Sequence, residues 1–268
     1  MPSDWILLRG LVREQRHWGD FPAIFARELG VRVHTIDIAG AGTQHRESCP
    51  RSVAGMAEDV RARWLTLRAE LERTHGATRW GLLGVSLGGM IAMAWAAAHP
   101  ADLQRVVLAN TSASDIGKPW DRMQPRAIVG VARGFFARDP VRRERIVLDT
   151  TVRLLPVGDR EALARRWASY AAESPVSRAT LGRQLLAAST FRAPMRLAVP
   201  TLVVVGGRDP LAAPACGRAL AQRFGAPLEE HPGAGHDIGT DAPEWLAARV
   251  GAWLARPPAS TTHASSAA

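Results

Sequence analysis

Lysine is almost missing from this chain. Among 34 basic residues in 268, Lys118 is the single lysine, tyrosine occurs once and cysteine twice. Two cysteines, Cys49 and Cys216, are too few for a disulfide framework. They share no metal-ligand spacing with each other or with a histidine, so both read as ordinary thiols. No stretch reaches the ~18 uninterrupted apolar residues of a membrane span, and no membrane partner is expected. Met1 to Trp5 pass directly into Ile6-Leu7-Leu8 without the basic region, apolar core and cleavage site of a signal peptide, so the expected location is cytoplasmic. The formal net charge of +9 invites a nucleic-acid reading. The arginines, however, are scattered along the whole chain, and no basic cluster interleaved with aromatics appears, so no nucleic-acid partner is expected.

What is present is ordinary for a globular protein: 47% hydrophobic and 22% charged residues. The length suits one large α/β domain with room for an insertion. Trp5 to Gly10 is an apolar run too short for a helix and suited to a strand buried on both faces. Helical spacing follows at 18–29, a β-branched strand at 31–38, and a long amphipathic helix at 52–74. Residues 79–85 read as a strand, 87–99 as a helix stopped by Pro100, and 105–111 as another buried strand. Such alternation predicts a largely parallel sheet covered on both faces.

From 112 to 199 the rhythm breaks into four helical patterns, at 128–137, 141–155, 160–172 and 177–189. It returns with a strand at 201–206, a helix at 214–224, a short strand at 227–230 and a final helix at 243–254. The expected organisation is therefore a core of 1–111 and 200–255, a helical cap inserted at 112–199, and a disordered tail of Pro, Ser, Thr and Ala at 256–268.

Gly84-Val85-Ser86-Leu87-Gly88 places one serine between glycines at a strand-to-helix junction. As a bare pattern it fits a packing turn or a phosphate-binding turn equally well. The junction adds meaning: glycines at 84 and 88 permit a sharp turn that lifts Ser86 above the sheet edge, and the amide of Leu87, opening a helix, points into the same space. A serine nucleophile needs a base, and the base an acid to hold its tautomer. Asp209 in Gly-Gly-Arg-Asp-Pro follows a buried strand, and His236 in Gly-Ala-Gly-His-Asp follows the last strand, giving the order serine, acid, histidine. The alternative for Asp209 is a cap on the next helix, and for His236 an ordinary loop histidine. His231 and His236, five apart in a loop without a third ligand, do not read as a metal pair.

With these motifs the chain resembles the α/β-hydrolase superfamily, in its capped esterase, lactonase and C–C hydrolase branch, over roughly residues 5 to 255. The resemblance implies an α/β-hydrolase fold; the chain departs from it at its start, where only four residues precede the first strand, so the leading antiparallel hairpin of many relatives is expected to be absent, leaving about six parallel strands. The resemblance also implies a serine hydrolase cleaving a small-molecule ester, thioester or lactone through Ser86, His236 and Asp209, with no metal and no organic cofactor. The oxyanion would lie between the amides of Leu87 and Leu11. Arg9 stands where such families carry a histidine before the glycine, here Gly10, and so either braces this loop or recognises a substrate carboxylate. Asp115 is the reserve acid, and Asp37 belongs to a structural turn. The cap arginines, including Arg126, Arg133, Arg138, Arg142 and Arg143, form either a solvated surface or an attraction for an acidic substrate or carrier. The rival readings are a C–C bond hydrolase or cofactor-free haloperoxidase on the same triad, and a non-catalytic binding module.

Overall fold

The structure is a computed structural model that describes residues 1–122, 129–130, 133–134 and 137–256. Arg126 lies outside the described residues, as do half of the helix expected at 128–137 and all of the expected tail beyond Arg256.

Six strands, β1 (Asp4–Leu8), β2 (Arg32–Thr35), β3 (Trp80–Val85), β4 (Arg105–Ala109), β5 (Thr201–Gly206) and β6 (Leu228–His231), form one sheet. Its order is β2-β1-β3-β4-β5-β6, and every neighbouring pair is parallel. The sheet is thus the parallel one that the alternation predicts. β2 is shorter than its β-branched run. The backbone leaves the sheet beyond Thr35 because the Asp37 carboxylate takes the amides of Gln15 at 2.7 Å and Thr43 at 2.8 Å, which turns the chain.

Alternate residues on each strand serve opposite faces. Trp5, Leu7, Leu83, Val107 and Val204 bury one face under α1 (Phe21–Leu29) and the last helix, through Phe21, Phe25, Leu246 and Val250. Ile6, Leu8, Leu82, Val106 and Leu108 bury the other under α2 (Val53–His75) and α3 (Leu87–Ala98), with Val60, Trp64, Ile91 and Trp95. Ser52 caps α2 by accepting the Gly55 amide at 3.1 Å, which starts the helix where the apolar spacing begins.

Between β4 and β5 the described residues form only helices: the short α4 (Pro119–Arg122), α5 (Pro140–Thr151), α6 (Val157–Glu173) and α7 (Arg178–Thr190). Asp139 and Ser177 cap α5 and α7 through the amides of Arg142 at 2.6 Å and Thr180 at 3.0 Å. α5 and α6 share a small core of Leu148, Val152, Ala164 and Trp167, separate from those of the sheet. Arg133, Arg138, Arg142 and Arg143 are exposed. After β5 come α8 (Pro214–Phe224), the four-residue α9 (Ile238–Asp241), which periodicity does not announce, and α10 (Pro243–Ala255). Among the described residues no helix is long and apolar enough to cross a membrane.

Candidate active site

β3 ends at Val85 and α3 begins at Leu87, so Ser86 alone makes the turn, at φ 57° and ψ −118°. A non-glycine residue takes that conformation only where its surroundings enforce it. Here they do. The Ser86 amide donates to Ala109 O at 3.0 Å, and the Ser86 carbonyl accepts from Thr111 Oγ1 at 2.7 Å and from the amides of Gly89 and Met90. A Cβ on Gly84 would strike the Gly88 carbonyl, and one on Gly88 the Leu8 carbonyl, which is why both positions carry glycine. Among the described residues neither Ser86 Oγ nor the Leu87 amide makes a hydrogen bond. The amide stands at the N-terminus of α3, where the helix dipole favours negative charge.

Asp209 follows β5 and is buried. Its Oδ1 accepts the amides of Leu211 at 2.7 Å and Ala212 at 3.0 Å, while Oδ2 lies 2.7 Å from His236 Nδ1. A carboxylate only accepts, so Nδ1 carries the proton and donates, leaving Nε2 as the acceptor of a neutral ring. Burial acts to lower the His236 pKa, but the charge and hydrogen bond of Asp209, helped by Asp237, outweigh it, and the value is raised above 6.5. The structure thus joins Asp209 to His236 and forms no hydrogen bond between Ser86 Oγ and that imidazole.

The loops that carry these groups are tied to one another. Gly207 N donates to His231 O at 2.8 Å and Arg208 N to Ala234 O at 2.9 Å, which lays the Asp209 loop along the His236 loop. Asn110, at φ 47° beyond β4, donates from Nδ2 to the carbonyls of Gly235 at 2.7 Å and His236 at 3.0 Å, and its Oδ1 accepts from Gly206 N at 3.1 Å. Asn110 and Thr111 therefore hold the histidine and serine backbones from a single strand end. Asp241 takes the amides of Gly235, Arg153 and Leu154, fastening the His236 loop to the end of α5. Sequence reading missed both residues. Asn110 left one signal, an asparagine closing a buried strand, a residue type that tolerates the left-handed region; Asp241 left none.

Arg9 braces the site. Its guanidinium forms a fork to Asp237, with Nη1–Oδ1 at 3.0 Å and Nη2–Oδ2 at 2.6 Å, and lies 4.7 Å from the Trp18 ring centroid. Both side chains of the pair are buried, so the pair clamps the Gly10–Leu11 turn to the residue after His236. Burial acts to raise the Asp237 pKa, but Arg9 overrides it and holds the carboxyl below its ordinary value. That contribution to stability is present above the ordinary carboxylate pKa and is lost as pH falls through the lower folded value. Arg9→Met is expected to cost about 3–5 kcal/mol because it strands a buried carboxylate, and Arg9→Met/Asp237→Leu to recover most of that loss. Urea unfolding measures both; equal losses in the single and double variants would show that the pair is not coupled.

The remaining sequence candidates have other engagements. Asp115 accepts from Arg223 Nη1 at 2.7 Å and from the Ala193 amide at 2.9 Å. His231 Nδ1 accepts the amides of Gly233 and Ala234 and so shapes the His236 loop. Cys49 and Cys216 are free and buried, and burial pushes the Cys216 thiol up to about 11.

A parallel six-stranded sheet with a serine elbow after β3, an acid after β5 and a histidine after β6 is accompanied by a family-level match. The sequence profile of the alpha/beta hydrolase fold family matches residues 6–243. The chain belongs to the α/β-hydrolase fold family. Among curated members, the pimeloyl-[acyl-carrier protein] methyl ester esterase of Chromobacterium violaceum is 29% identical over 227 residues, covering 82% of this chain and 84% of that protein. Two solved α/β-hydrolase structures show the same fold. A Mycobacterium tuberculosis protein provisionally described as a non-heme bromoperoxidase matches with TM-score 0.72 and 21% identity over 95% of this chain and 92% of its own. The enol-lactonase of Burkholderia xenovorans matches with TM-score 0.65 and 22% identity over 96% and 92%.

Proposed function

We propose that this α/β-hydrolase is a serine hydrolase that cleaves a carboxylic ester, thioester or lactone with a small to medium apolar acyl group. The observation that carries the reading is the buried 2.7 Å contact of His236 Nδ1 with Asp209, on the sheet edge where Ser86 stands at positive φ. The esterase relative supports a carboxylic ester as substrate, since that protein is a methyl ester esterase.

In this mechanism Ser86 Oγ attacks the acyl carbon as His236 Nε2 removes its proton, a contact of the kind that commonly tightens only when substrate is bound. The carbonyl oxygen becomes an oxyanion between the amides of Leu87 and Leu11, neither of which makes a hydrogen bond within the described residues. Collapse breaks the bond to the leaving alcohol or thiol, which takes the proton from His236. Water then attacks the acyl-Ser86 ester, giving its proton to His236 and returning Ser86 Oγ–H. The helices of residues 112–199 act as a cap that shapes the acyl pocket. The bracing of Arg9 by Asp237 favours a neutral acyl group over a carboxylate bound at Arg9.

A fluorophosphonate probe together with p-nitrophenyl and methyl esters of increasing chain length tests the reading. Covalent label on the Ser86 peptide with ester turnover is expected, and an unlabelled, folded protein near neutral pH would overturn it. Because the His236 pKa is raised, the acid limb of kcat/KM should fall at an apparent pKa above 6.5. A flat profile through that range, with chemistry limiting, would require another base.

A further inference from the structure

The Leu11 amide belongs to a turn under strain. Gly10 to Arg13 closes through Arg13 N to Gly10 O at 3.2 Å, and Val12, third in the turn, sits at φ 54°. Turns with positive φ at that place call for glycine or asparagine, and a β-branched residue there is an outlier that must be held from outside. The holder comes from the helical insertion. Gln184, fully buried on α7, accepts the Val12 N–H through Oε1 at 2.8 Å across 172 positions of sequence. The rest of its amide is poorly served. Gln184 Nε2 is buried with no hydrogen-bond partner among the described residues, and the side chain lies against the Cys49 thiol, a weak acceptor at best. An apolar residue of similar volume would avoid that unpaired donor, so the acceptor oxygen is the part of Gln184 that the fold uses. The position of α7 is itself fixed to the core, since Arg183 donates to Ser48 Oγ and to Cys49 O at 3.2 Å.

We infer that Gln184 is a positioning residue for the oxyanion site: by holding the Val12 N–H it keeps the Leu11–Val12 peptide in its left-handed turn and so sets the direction of the Leu11 amide. The physical reason is that Leu11 belongs to both peptide units. The turn is closed by Arg13 N to Gly10 O, so if Val12 relaxes to an ordinary negative φ the change must be taken up by the neighbouring torsions, φ of Leu11 among them, and the Gly10–Leu11 plane that carries the Leu11 N–H is re-aimed. The insertion then acts on the transition state as well as on the substrate pocket. An amide misplaced by an ångström loses most of its hydrogen bond to the oxyanion and little of the substrate's binding energy.

The inference rests on the serine-hydrolase reading, and the experiment separates the two. Wild-type protein is first labelled with the fluorophosphonate and assayed on p-nitrophenyl butyrate; absence of both label and turnover overturns the reading and the inference together. In an active wild type, Gln184→Met is expected to lower kcat roughly 10- to 100-fold with KM within about twofold. Adding Val12→Gly, which takes positive φ without an anchor, should return kcat to within about fivefold of wild type. Gln184→Glu, which keeps an oxygen at the same reach, should retain kcat within about fivefold by the same argument. An unchanged kcat in Gln184→Met, or a loss that Val12→Gly does not relieve, overturns the inference alone. So does a hundredfold fall in Gln184→Glu, and that result stands even if the methionine variant fails to fold.

Discussion

Ser86→Ala is expected to abolish fluorophosphonate labelling and to lower kcat for ester hydrolysis by about 10⁶-fold, with folding retained. The size follows from the chemistry. Without Oγ no acyl-enzyme forms, and the base and oxyanion donors left behind act only on a water molecule that nothing holds in place. The fold should tolerate the change because Ser86 Oγ makes no hydrogen bond among the described residues, whereas the backbone bonds to Ala109 O, Thr111 Oγ1 and the amides of Gly89 and Met90 remain. Steady-state kinetics and mass spectrometry of the labelled peptide measure both effects, with circular dichroism as the check on folding. Residual activity within tenfold of wild type would remove Ser86 from the mechanism.

Asp209→Asn should lower kcat by about 10⁴-fold and shift the acid limb of the pH profile downward. Asparagine keeps an oxygen for the Leu211 and Ala212 amides, so the loop survives. The atom facing His236 Nδ1, however, becomes an N–H₂ donor or an uncharged oxygen. In the first case the ring proton moves to Nε2 and the base is lost; in both, the charge that raises the imidazole pKa is gone. The stability linkage has the opposite sense to activity. A raised histidine contributes stability that is complete below pH ~6.5 and is lost as pH rises through the folded value, so the variant should lose that slope. Asp115, held by Arg223, is poorly placed to take over. Near-normal turnover in Asp209→Asn would nonetheless require a different acid.

The strands were legible because a parallel sheet covered on both faces needs continuous apolar runs, and Trp5–Leu8, Trp80–Val85 and Thr201–Gly206 are such runs. Helix starts were legible where a short polar side chain precedes the apolar spacing, as Ser52 and Ser177 do. The ends of β2 and β4 were not, since Asp37 and Asn110 draw the backbone out of the sheet through partners distant in sequence. Ser86, Asp209 and His236 could be named because each sits beside glycines at the end of a buried strand. What surrounds them could not, because a long-range hydrogen bond leaves no periodicity in either partner.

The sequence by itself therefore determined the α/β architecture and the order of its three candidate groups, since hydrophobic period and glycine placement are local properties of the chain. Only the tertiary structure decided the state of those groups. Asp209 holds Nδ1 of His236, Arg9 is consumed by Asp237 at the far end of the chain, and the N–H of Val12, a residue at positive φ, is taken by Gln184 of α7. Each of these is a pairing of buried polar groups across the fold. Burial makes an unpaired polar group costly, but which partner relieves that cost depends on where the packed elements bring the two side chains together.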